Sequence, residues 1–170
     1  MSLVECTTLY GLKKSVPADQ LMLRASAYAL IIHEGNMLLL RGRFTGKYAL
    51  PGGGIELGEH IEDALQREVR EEAGLEVRIE RFLAFTDNFF YYDPLDLAIH
   101  GFLSFYICTP LSFDLVADAD VDDSDVEKPR WIPIDSLSAA DFQSQGDLTI
   151  GLLQQLGFNM HGAEQRMIAR

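Results

Sequence analysis

Residues 53–75, GGIELGEHIEDALQREVREEAGL, run a glycine cluster directly into an amphipathic segment that ends on carboxylates. Ile61, Leu65 and Val69 recur every four residues, which predicts a helix from about Glu59 to Ala73, and Gly74 supplies the left-handed residue that commonly ends one. The last turn holds Glu71 and Glu72, where the negative end of the helix costs an anion about 0.3–1 kcal/mol. Glu68 faces Glu72 at i,i+4, a like-charge pair that is itself destabilising. At roughly 100° per residue, Glu68, Glu71 and Glu72 share an arc of about 100°, and Glu72 continues the azimuth of Ile61 and Leu65. The carboxylates therefore point partly into the fold. An inward cluster needs a proton or a cation in compensation, whereas the competing reading is a solvated acidic face. The preceding glycines weigh toward a site, because they permit close backbone approach and lead into a helix start that favours anions.

Working outward, residues 25–33 (ASAYALIIH) and 37–41 (MLLLR) read as strands joined through Glu34, Gly35 and Asn36, a tight hairpin. Residues 42–58 read as a glycine-rich loop with a short strand near 47–50. Strand signals return at 75–85 and 97–109, separated by the aromatic segment TDNFFYYDPLD. A further short strand, PRWIP at 129–133, precedes an expected helix near 135–141, and 148–158 predicts another. Strands before, between and after helices indicate a mixed sheet covered on its faces. Residues 1–24 form an arm or an added edge element, residues 25–157 the domain, and residues 158–170 a tail or helix extension.

The chain carries 14 Lys+Arg against 26 Asp+Glu over 170 residues, a formal net charge of −12. That balance argues against a nucleic-acid polymer or an anionic membrane as partner, while small phosphates remain accessible through a bridging cation. The longest apolar stretch, LMLRASAYALII, is interrupted by Arg24 and is short of the ~20 residues that span a bilayer. Cys6 and Cys108 form neither a CxxC nor a disulfide framework and read as packing residues of a cytoplasmic protein.

The 53–75 segment resembles the Nudix box: Gly, five residues, Glu, seven residues, then Arg-Glu-apolar-x-Glu-Glu-x-Gly-apolar. Gly53, Glu59, Arg67, Glu68, Val69, Glu71, Glu72, Gly74 and Leu75 occupy every fixed position. The resemblance implies an α/β fold, the α/β/α sandwich with a mixed β-sheet, and a hydrolase that cleaves the diphosphate linkage of a small nucleoside diphosphate derivative. Nucleoside triphosphates, sugar nucleotides, ADP-ribose and dinucleoside polyphosphates all contain that bond. It further implies Mg²⁺, with Mn²⁺ as a substitute, held by Glu68, Glu71, Glu72 and the carbonyl of Gly52, with Arg67 orienting a neighbouring glutamate. A homodimer is favoured by the same resemblance. The alternative function is a non-catalytic Nudix-like nucleotide-binding regulatory module.

Other assignments stay open, and the candidates for the water-activating carboxylate among them come from the resemblance. The water-activating carboxylate is Glu68, or else Asp125 or Glu127 in the acidic segment before Trp131. Glu59 is assigned to anchoring the loop or to the helix N-terminus. Arg41, Arg43 and Lys47 run into the glycine loop and either grip phosphates, with Gly53 and Gly54 closing around them, or form a solvated hairpin end. In the run Phe89, Phe90, Tyr91, Tyr92, the candidate base-stacking residue is Tyr91, against a sheet-edge or dimer contact for the whole segment. Tyr48 stands where many family members carry tryptophan.

Overall fold

The computed structural model describes residues 2–117 and 125–159. In chain order the elements are β1 (Leu3–Thr8), β2 (Lys13–Pro17), β3 (Met22–His33), β4 (Asn36–Gly42), β5 (Tyr48–Ala49), β6 (Gly52–Gly54), α1 (Ile61–Ala73), β7 (Val77–Tyr92), β8 (Leu97–Pro110), β9 (Val126–Pro133) and α2 (Gly146–Gln155). Strand order is β2-β1-β7-β8-β3-β4-β5, with β6 pairing β3 and β9 pairing β4. The sheet is mixed: β3 lies parallel to β8 over ten residue pairs and antiparallel to β4 and β6.

The apolar runs of β3 and β4 are continuous because both faces of these strands are covered. Leu30, Met37 and Leu39 join Phe105, Ile134, Leu137, Phe142, Leu152 and Leu153 on one side, beneath α2. Ala29, Ile31 and Leu38 join Leu65, Val69, Ala73 and Leu75 on the other, beneath α1. Alternation along a strand thus splits one run into two cores, and the α/β/α sandwich follows.

Several local expectations are corrected. The β3–β4 turn places Glu34 and Gly35 at its centre, with φ of 47° and 75°, while Asn36 already pairs with His33. Two successive positive φ values match the twist of the flanking strands. Only residues 93–96 of the aromatic segment connect the two strands: β7 continues through the rest to Tyr92, paired with Leu97 of β8. The helix expected near 135–141 is two 3₁₀ turns, Ile134–Ser136 and Ala139–Asp141, the second closed by a Ser138–Asp141 capping box. The segment is too short between Pro133 and the cap to propagate a helix. Glycines 52–54 form β6 instead of loop, and α2 starts at Gly146 and ends at Gln155.

Residues 3–17 form a hairpin whose β1 runs parallel to the end of β7, through Thr7–Phe90 and Thr8–Tyr91. Cys6, Val16, Tyr91 and Ala98 close a small core there. The expected tail or helix extension at 158–170 falls from residue 160 onward outside the described residues. Among the described residues no helix is long and apolar enough to cross a membrane. Both cysteines are buried, and burial pushes the Cys108 thiol up to about 12, consistent with packing roles.

Candidate active site

The site is built around a strand without side chains. Gly52, Gly53 and Gly54 pair with Tyr28, Ala27 and Ser26 of β3. Pro51 O accepts from Ala29 N, and Ile55 N donates to Ala25 O, so the odd residues bond to β3 and Gly52 and Gly54 turn their backbone groups to the outer edge. The helix α1 docks its charges on that edge. Gly52 N donates to Glu72 Oε2 at 2.8 Å, and Arg67 Nη2 donates to Gly54 O at 3.1 Å. Glycine is required at Gly52, and at Gly53 an added methyl would displace the Glu68 carboxylate. A Cβ on Gly52, whose φ is 131°, would meet Ala27 O at 2.2 Å, and one on Gly53 would sit 2.7–2.8 Å from the Glu68 carboxylate.

Arg67 compensates much of the acidic cluster. Its Nε and Nη2 donate to Glu59 at 2.9 and 3.0 Å, and Nη1 donates to Glu68 at 2.9 Å and Glu71 at 3.1 Å. With Gly54 O, all five guanidinium donors are used, a fork that lysine could not reproduce. The Arg67 bonds, with the Glu56 N–H, hold the Glu59 carboxyl below its ordinary range. Glu59 thus anchors the loop to the helix.

Glu72 is 3% exposed in the last turn of α1, and the Glu68 side chain is 13% exposed, whereas that of Glu71 is 38% exposed. A cleft of about 220 Å³ is lined by Gly52, Gly53, Glu68 and Glu72 at one end. Among the described residues no three acidic, histidine or cysteine side chains close into a ligand group. The donor set facing the cleft is instead two carboxylates and the outward edge of Gly52. That set fits Mg²⁺, which takes oxygen ligands, commonly one or two carboxylates, and leaves its remaining positions to water and substrate phosphates.

The other residues named from sequence are distributed unevenly. Asp125 lines the cleft and accepts a hydrogen bond from the Tyr92 hydroxyl, while its carbonyl accepts from Arg43 N. Glu127 does not line it and pairs with Arg43 at 3.0 Å and Lys128 at 2.8 Å. Arg41, Arg43 and Lys47 lie outside the cleft lining, as do Gly54 and Glu71. Tyr91 is 5% exposed, buried in the hairpin core with Lys14 Nζ 3.5 Å from its ring centre. Strand alternation sends Tyr92 and Phe90 the opposite way, into the cleft, with Phe44 6.4 Å from Tyr92. Tyr48 is not in the lining and packs on Phe142.

Sequence reading missed Arg24, Asn88, Phe44 and Gln143, all of which line the cleft. Arg24 was met only as an interruption in an apolar run. The signal that would have found it is the alternation Arg24, Ser26, Tyr28, which puts all three on one face of β3.

The NUDIX domain model matches residues 22–150. A nucleoside triphosphatase NudI from Enterobacter sp. (strain 638) is 33% identical over 114 residues, 64% of this chain and 77% of that protein. The NudI of Escherichia fergusonii is 47% identical over 62 residues, 34% of this chain, and that match spans only 44% of the relative's length. Among solved structures, the MutT NUDIX hydrolase from Burkholderia pseudomallei superposes with a TM-score of 0.61 at 23% identity, covering 78% of this chain and 98% of that one. At that identity the likeness is one of fold.

Proposed function

Since the chain belongs to the Nudix family, we propose that it is a Mg²⁺-dependent hydrolase of the diphosphate linkage in a nucleoside triphosphate or a related small nucleotide. The observation that carries this reading is the buried Glu72 carboxylate beside Glu68 on the open edge of the glycine strand. A carboxylate placed in the last turn of a helix and withdrawn from water is costly unless it serves a cation. The relatives named as nucleoside triphosphatases support the triphosphate within the wider substrate class.

In this reading Glu68, Glu72 and the Gly52 carbonyl would hold the ion, with Glu71, bonded to Arg67 Nη1, as a further carboxylate on the same helix turn. Bound there, Mg²⁺ supplies Lewis-acid stabilisation of charge on the phosphate oxygens. Arg67 keeps Glu68 oriented through Nη1 and fixes β6 through Gly54 O. Glu68 or Asp125 takes the proton of the attacking water, and the Tyr92 hydroxyl holds the Asp125 carboxylate in the cleft. Phe90, Tyr92 and Phe44 offer flat rings for a base. The test is a panel of nucleoside triphosphates, ADP-ribose, sugar nucleotides and dinucleoside polyphosphates with Mg²⁺ or Mn²⁺. Turnover of at least one, lost in excess EDTA, is expected; full activity in EDTA, or binding of the whole panel without turnover, refutes it.

A further inference from the structure

We propose that Arg24 is the phosphate anchor of this cleft, binding the polyphosphate charge that lies beyond the ion. The inference rests on the hydrolase reading for the identity of its ligand, a nucleoside triphosphate. It rests on geometry for the site itself. Among the described residues lining the cleft, Arg24 is the one cation. Its guanidinium lies against Gly54, where a Cβ would meet Nη2 at 2.8 Å and Nε at 2.9 Å, so the missing side chain makes room for it.

The arginines and lysine that the sequence singled out cannot do this from where they stand. All five Arg67 donors are committed to Glu59, Glu68, Glu71 and Gly54 O. Arg43 is paired with Glu127, and Arg41 and Lys47 lie outside the lining. Arg24 makes no ion pair or side-chain hydrogen bond with any described residue, in a chain with 26 acidic residues. A guanidinium held in an acidic cleft without a carboxylate partner among the described residues matches an anion that arrives with the substrate.

Position defines the class of anion. Gly54 is two residues along β6 from Gly52, about 7 Å at strand rise. A linear polyphosphate can reach from the ion at the Gly52 edge to Arg24, whereas a single phosphate cannot. Half-buried Tyr28, paired with Gly52 across β3 and β6, lines the same cleft as Arg24, Glu68 and Glu72, so the cation and the two carboxylates face one space.

The experiment compares wild type with Arg24→Ala, Arg24→Gln and Arg24→Lys. Calorimetry of inorganic pyrophosphate in Mg²⁺ buffer should show affinity reduced about tenfold to a hundredfold in the alanine and glutamine variants, and partly restored by lysine. For a hydrolysed triphosphate, kcat/KM should fall by the same factor, with the thermal midpoint unchanged because the side chain is exposed. Pyrophosphate affinity equal to wild type in both variants overturns the proposal. If no substrate is turned over by wild type, the hydrolase reading fails, yet loss of pyrophosphate binding in the variants still supports Arg24 as an anion site.

Discussion

Replacing Glu72 by Gln tests the central electrostatic argument, because it changes one charge and almost no volume. Glu72 is 3% exposed and accepts the Gly52 N–H at 2.8 Å, a bond the amide oxygen of glutamine can still accept. Without metal, removing an anion from the last helical turn returns about 0.3–1 kcal/mol, and removing the repulsion from Glu68 adds about 0.2–0.5. Weakening a charge-assisted hydrogen bond to a neutral one costs about 1 kcal/mol. These effects nearly cancel, so the variant in EDTA should melt within a few degrees of wild type. Metal separates the two proteins. At free Mg²⁺ ten times its dissociation constant, a site present only in the folded state stabilises by about 1.4 kcal/mol. For a chain of this size that raises the midpoint by roughly 3–6 °C. Wild type should show the shift in a fluorescence melt and Glu72→Gln should not, while turnover drops about a thousandfold, the equivalent of several kcal/mol of lost charge stabilisation. A variant that retains the full Mg²⁺ shift would refute the assignment of Glu72 as a ligand.

Gly53→Ala places a methyl 2.7–2.8 Å from the Glu68 carboxylate. The flexible side chain yields, so the melt should barely change while kcat falls about tenfold or more through misplacement; an unchanged kcat would mean that Glu68 position is immaterial. Glu76 is held below its ordinary 4.5 by the Arg70 guanidinium, through contacts of 2.6 and 2.9 Å. Its folded pKa lies below its unfolded one, so its contribution is complete above pH 4.5 and fades as pH falls through the folded value. Urea titrations from pH 7 to 3 should show a shallower acid loss for Glu76→Gln, more visibly at low salt, and identical slopes would contradict the pairing.

Some residues revealed their place through pattern alone. The helix, expected at about 59–73 and found at Ile61–Ala73, was legible because Ile61, Leu65 and Val69 recur at helical spacing; the structure buries Leu65 and Val69 but leaves Ile61 41% exposed. The β3–β4 hairpin was legible because its turn is a local signal. Strand and helix boundaries around Gly52–Gly54 and at 135–141 were not, since pairing with β3 in one case and a flanking Pro133 with a short cap in the other decided them. Tyr91 and Tyr92 are adjacent and chemically alike, and only the register of β7 against β1 and β8 sends one into the hairpin core and the other into the cleft.

By itself the sequence determined the family, the box carboxylates and the helix that carries them, because these follow from spacing within 23 contiguous residues. Tertiary structure alone decided which charges neutralise one another. Arg67 takes up Glu59, Glu68 and Glu71, Glu72 settles on the Gly52 amide, and Arg24 faces the cleft without a carboxylate partner among the described residues. The physical reason is that charge pairing depends on distance in space, and β3, β6 and α1 meet through strand pairing and core packing that no local periodicity encodes.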